Sequence, residues 1–111
     1  MITTDGLRAF GANVDEGIAR CMNNEGFYIM LVNKVVNDKM LGQLGKQLGE
    51  GDLAAAFETA HALKGMYSNL SLTPLSEPVS KMTELLRSRT EIDYSSLYHE
   101  AVEQFHKLCS L

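Results

Sequence analysis

Between Asp52 and Leu70 the apolar residues Leu53, Ala56, Ala60, Leu63, Tyr67 and Leu70 recur at spacings of three and four. At ~100° per residue they fall on one face, so the stretch predicts a helix with one buried side. His61 lies off that face by more than a third of a turn, and its outward neighbours Ala54, Gly65 and Ser68 are small. Phe57, Glu58 and Lys64 flank it. Gly65 stands one turn further on, inside the helix, where a glycine costs ~1 kcal/mol relative to alanine. The pattern is an imidazole held out among small side chains, open to the approach of a large partner.

The rest of the chain follows the same period. Thr4 to Phe10 predicts a short helix ended by Gly11. Asn13 and Glu16 then form a capping box, starting a helix that carries Val14, Ile18 and Cys21 and fades near Asn23 and Asn24. Asn24 caps the segment Phe27 to Val36, the most hydrophobic of the chain. Phe27 to Val32 alone also reads as a buried strand, but its continuation at helical spacing favours a core helix. Asp38 caps or breaks the run, and Leu41, Leu44 and Leu48 continue it beside Gly42, Gly45 and Gly49. Those glycines predict a marginal helix held by packing, with close approach of a neighbouring helix as the second reading.

Glu50-Gly51-Asp52 is a turn, with Asp52 as cap of the histidine helix. Thr73 as cap and Pro74 at the first position start the next helix, which buries Leu75, Val79, Met82, Leu85 and Leu86. Pro78 falls inside it and should bend it or leave one carbonyl unpaired. Arg87 and Arg89 put cations at its C-terminus, where the helix dipole favours them. Asp93 caps the last helix, whose stripe is Leu97, Ala101, Phe105 and Leu108.

Few β-branched runs, only 2 prolines and no tryptophan agree with an all-α fold. Four long segments joined by short loops predict an antiparallel up-down-up-down four-helix bundle, with one or two short extra N-terminal helices, as one domain over residues 1–111. A net charge of −4 without a basic stripe argues against nucleic acid. No apolar run approaches the ~20 residues of a membrane span. Cys21 and Cys109 are too few for a disulfide framework or a zinc site, and read as buried or half-buried thiols in a reducing cytoplasm. Met1 to Asp5 carries no signal-peptide pattern, and a cytoplasmic protein is expected.

His61-Ala62-Leu63-Lys64-Gly65, followed by Asn69-Leu70-Ser71-Leu72, resembles the signature of histidine-containing phosphotransfer (Hpt) domains of two-component phosphorelays, roughly H-x-L-K-G-x-x-x-N-L-G-L. Ser71 stands where glycine is common. The resemblance implies a helical bundle in which His61 accepts a phosphoryl group from an aspartyl phosphate of a receiver domain, or from a kinase, and passes it to another receiver aspartate. It implies that Lys64 helps stabilise phosphoryl charge and that Gly65 gives the receiver access. Phe57, Glu58, Met66 and Ser68 would line the contact, together with residues of the first helices. No intrinsic cofactor and no ATP-dependent kinase activity are expected, and magnesium belongs to the receiver. The domain is expected to be a monomer. Family members place a glutamine on the next helix to orient the imidazole; the corresponding place here is near Thr83, which offers only a shorter hydroxyl.

Two other readings compete. A non-catalytic bundle would hold a receiver or kinase without chemistry, although His61, Lys64 and Gly65 stand together as an active domain requires. Glu58 with His61, and Glu103 with His106, are also E-x-x-H motifs of the kind that ligate di-iron centres inside four-helix bundles. Both point away from their stripes, whereas such ligands must point inward. His99 and His106 read as surface histidines.

Overall fold

The computed structural model describes residues 1–111 and is all-α. Seven helices follow one another: α1 (Thr4–Phe10), α2 (Val14–Arg20), α3 (Glu25–Val36), α4 (Met40–Gly49), α5 (Leu53–Asn69), α6 (Thr73–Arg87) and α7 (Ser95–Cys109). The short α1 and α2 are the N-terminal extras that the sequence suggests. The apolar run from Phe27 is helical, and Asp38 is a break: its Oδ1 accepts from the Met40 N–H at 2.8 Å, so α4 starts afresh.

Helix α5 packs against α4 on one side and α6 on the other, and α6 packs against α7. Helix α7 is tied back to α4 by Tyr98, whose hydroxyl donates to the Leu41 carbonyl at 3.0 Å. The core between them takes Leu44, Leu63, Leu75, Met82, Leu86 and Leu108, all fully buried. Leu7, Val14, Tyr28 and Val32 extend this core to the N-terminal helices.

The caps on α2, α3 and α5 form as read. Asn13, Asn24 and Asp52 accept from the N–H groups of Glu16, Phe27 and Ala55. Glu16 reaches back to the Asn13 side-chain amide at 3.0 Å, because the Asn13 backbone N–H already donates to the Ser71 carbonyl. Thr73 is not the cap of α6. Leu72 takes that position because its side chain is fully buried, and its carbonyl accepts from Leu75 and Ser76. Thr73 and Pro74 are therefore the first two helical residues. Likewise Tyr94 occupies the cap position of α7, while Asp93 still accepts from the Ser95 N–H at 2.9 Å.

Three further details correct the sequence reading. Leu53 and Leu85 are only half-buried, and Cys109 is exposed, its Sγ lying 3.9 Å from the Val36 carbonyl. Gly45 is a close-approach glycine, since a Cβ there would fall on the Tyr98 ring and hydroxyl. Gly42 and Gly49 have open space beside them, so no neighbour requires glycine there, and the helix tolerates their low propensity because Leu41 and Leu44 are buried.

Candidate functional site

Helix α5 buries Ala56, Ala60, Leu63 and Tyr67 and turns its other side outward. On that side Ala54, Glu58, His61, Ala62 and Gly65 are exposed, and Lys64, Met66 and Ser68 are half-buried. A Cβ added at Gly65 would meet nothing within 4 Å, so no neighbouring helix requires this glycine. Glu58, Lys64 and Gly65 are thus gathered within about one turn of the imidazole. Met66 faces round towards α3 and lines a shallow cleft with Leu31, Lys34, Val35 and Leu70.

The imidazole is held by a ring. Phe57 lies one turn before His61, and the two rings stack with centroids 5.7 Å apart and planes 21° from parallel. Offset aromatic pairs of this kind contribute ~0.5–1.5 kcal/mol beyond their buried area. Phe57 is half-buried against the core, so it is at once packing and site. Thr83 does not take the orienting role: it is fully buried, and its hydroxyl donates to the Val79 carbonyl one turn back at 2.7 Å. A hydroxyl on a helix commonly makes this local bond, and a short side chain has no reach left for a surface imidazole.

Two residues enter the site that the sequence did not single out. The guanidinium carbons of Arg87 and Arg89 lie 5.1 and 5.2 Å from the Phe57 ring centroid, within cation–π range. Arg87 is steadied by Glu84 at 3.2 Å, and Arg89 donates to the Leu86 carbonyl at 2.7 Å. Their only signal in the sequence was two cations at a helix end, which the dipole already accounts for.

The helix ends explain the backbone. After α5, the Leu72 N–H reaches back to the Tyr67 carbonyl and the Ser71 N–H to Ser68, both at 3.0 Å, with Ser71 left-handed at φ +54°. This is a Schellman closure, in which glycine is the usual left-handed residue. After α6 the same closure recurs, Thr90 to Leu85 and Arg89 to Leu86, with Arg89 at φ +52°.

The two E-x-x-H motifs do not converge. Glu58, His61, Glu103 and His106 are all exposed, and nowhere do three His, Cys, Asp or Glu side chains come together as metal ligands. The geometry does not fit a di-iron centre.

A sequence model of the family described as "Hpt domain" matches residues 36–110, which takes in the last residue of α3 and the whole of α4 to α7. The chain belongs to the Hpt domain family. No curated protein and no solved structure matches it. Membership gives this Hpt domain a role in histidine phosphotransfer within two-component systems, in which such domains interact with receiver or kinase components. No helix of it is long and apolar enough to cross a membrane.

Proposed function

We propose that this Hpt domain is a phosphorelay intermediate whose phosphoryl-accepting residue is His61. The observation that carries the reading is the exposed imidazole on α5 with an uncrowded Gly65 one turn away. In the forward step a neutral ring nitrogen of His61 forms a bond to phosphorus as the bond from phosphorus to the receiver's aspartyl oxygen breaks. The carboxylate leaves with the electron pair. The second step is the same exchange with another receiver's aspartate, and His61 is regenerated.

Lys64, on the next turn, supplies a cation for the phosphoryl oxygens, and Gly65 leaves room for the receiver's acidic pocket and its magnesium. Phe57, Glu58, Met66 and Ser68 border the approach. The domain acts as a cytoplasmic monomer in this reading, with receiver domains of response regulators or hybrid kinases as partners.

The test is phosphorylation by purified phosphorylated receiver domains from the same genome. The wild-type chain should acquire an acid-labile, base-stable phosphate. His61→Gln should abolish it, whereas changes at His99 and His106 should leave it intact. Lys64→Ala should slow transfer or shorten the phosphate's lifetime about tenfold, the worth of ~1–2 kcal/mol from one partly solvated charge. Receivers that bind the wild-type chain without phosphorylating it would favour the non-catalytic interaction module instead. Label persisting in His61→Gln would remove His61 from the role.

A further inference from the structure

We propose that the His61 imidazole is positioned by stacking on Phe57, and that Phe57 is fixed in turn by Arg87 and Arg89; this rests on His61 being the phosphoryl-accepting residue. An exposed helical histidine ordinarily samples several side-chain rotamers, and its ring torsion is broad. Attack on phosphorus requires one of them, with the nitrogen in line with the leaving oxygen. Some group must narrow that choice. Thr83 cannot supply it, because it is buried and its proton goes to Val79.

Phe57 can. It is the residue one turn back on the same side of α5, and its ring already lies nearly parallel to the imidazole, 21° off, at 5.7 Å. A half-buried phenyl would position nothing if it turned freely, but this one has two guanidiniums against it at 5.1 and 5.2 Å. A ring quadrupole attracts cations to its face, so the pair restrains the ring as well as covering it.

The backbone at Arg89 is the second, independent sign. Arg89 occupies the left-handed position that closes α6, at φ +52°, where a glycine would make the same two hydrogen bonds without strain. Ser71 holds the same conformation at the end of α5 with no partner for its hydroxyl, whereas the Arg89 side chain is engaged. The Arg89 side chain goes to two places, the Leu86 carbonyl and the Phe57 ring. The first only tidies the helix end, which glycine would also do. The second reaches the ring beside His61.

The test uses the full chain and phosphoramidate, a small donor without a protein surface, so that docking drops out. The His61 nitrogen takes the phosphoryl group, the donor's P–N bond breaks, and ammonia leaves. Phe57→Leu should lower the maximal rate about three- to tenfold, with little change in donor half-saturation, and should abolish the ring-current shift of the His61 ring protons. Phe57→Tyr should restore both. Arg89→Gly should melt at or above the wild-type temperature and yet react more slowly, a divergence that a merely structural arginine would not produce. If Phe57→Leu does not fold, Arg89→Gly carries the test alone. A wild-type rate in Phe57→Leu or in Arg89→Gly, or a Phe57→Tyr as slow as Phe57→Leu, overturns the proposal. His61→Gln keeps the two ideas apart: phosphate retained there rejects His61 itself, whereas phosphate lost there with a rate-neutral Phe57→Leu rejects only the positioning.

Discussion

Ser71 carries two costs at once. Its backbone is left-handed at φ +54°, and its hydroxyl is buried without a hydrogen-bond partner. Glycine has neither, so Ser71→Gly should stabilise the domain by ~1–2 kcal/mol and raise its melting temperature by ~4–8 °C per kcal/mol. Ser71→Ala, which removes only the orphan hydroxyl, should fall between; a lower melting temperature for Ser71→Gly would mean that the hydroxyl is satisfied after all. Gly65 is the converse case. Gly65→Ala should stabilise by up to ~1 kcal/mol. Gly65→Gln should melt no lower than wild type yet take phosphate from a receiver much more slowly, because its side chain leans back towards His61. Wild-type transfer would end the access reading. Gly65 was legible in the sequence because a glycine inside a helical period needs a reason. Ser71 was visible only as a departure from a motif, since its φ depends on how the chain leaves α5 for Leu72. Arg87 and Arg89 were legible only as cations at a helix end and not as neighbours of Phe57, as nothing local shows that the end of α6 crosses that ring.

At the scale of elements, the glycines of α4 divide. A Cβ at Gly45 would collide with Tyr98, which is bonded to the Leu41 carbonyl, while Gly42 faces open space. Gly45→Ala should therefore force α7 away from α4 and cost about 1–3 kcal/mol, whereas Gly42→Ala should be neutral or stabilising by up to ~1 kcal/mol. Urea unfolding of the two variants checks this, and equal midpoints would contradict the close contact. Periodicity alone could put all three glycines beside leucines but could not rank them. The deciding partner is a tyrosine more than fifty residues away, and its reach is a matter of packing. The helices themselves were readable for the opposite reason: spacing, Asn and Asp caps, and Gly11 act within a few residues. The starts of α6 and α7 shifted by one position because burial of Leu72 and Tyr94 outweighed the local cap residues.

For the molecule as a whole, the buried tyrosines set the alkaline limit. Burial, with the Cys21 thiol adding to it, pushes Tyr28 up to about 12. Tyr67 is raised further, again chiefly by burial, with Asp38, Cys109 and Tyr98 adding. A phenol whose folded pKa is raised stays protonated in the fold and ionises more readily once unfolded. Its stabilisation is complete below the ordinary value of ~10 and is lost as pH climbs through the raised one. Stability should hold from neutrality to about pH 10, then fall towards pH 12. Tyrosinate absorbance from Tyr28 and Tyr67 should appear together with loss of helical circular dichroism. Ionisation of both in a chain that keeps its full helix content would show that they are not sealed in the core.

The last turn of α5 is joined to the N-terminal helices at three points: Asn13 N–H to the Ser71 carbonyl, the Tyr28 hydroxyl to Leu70, and the Arg20 guanidinium to Ser68. A Cβ at Gly17 would fall on the Tyr28 ring and lie 2.9 Å from the Leu70 carbonyl, so the joint is also sterically tight. All of these donors precede residue 36, outside the span that matches the family. In evolutionary terms, selection acting through this joint would constrain the leading helices at only these few positions. What must be inherited is one backbone N–H, one phenol, one cation and one gap without a side chain, each aimed at the end of the histidine helix. Coevolution between distant members of the family would then show itself as pairs linking this leading segment to Ser68, Leu70 and Ser71.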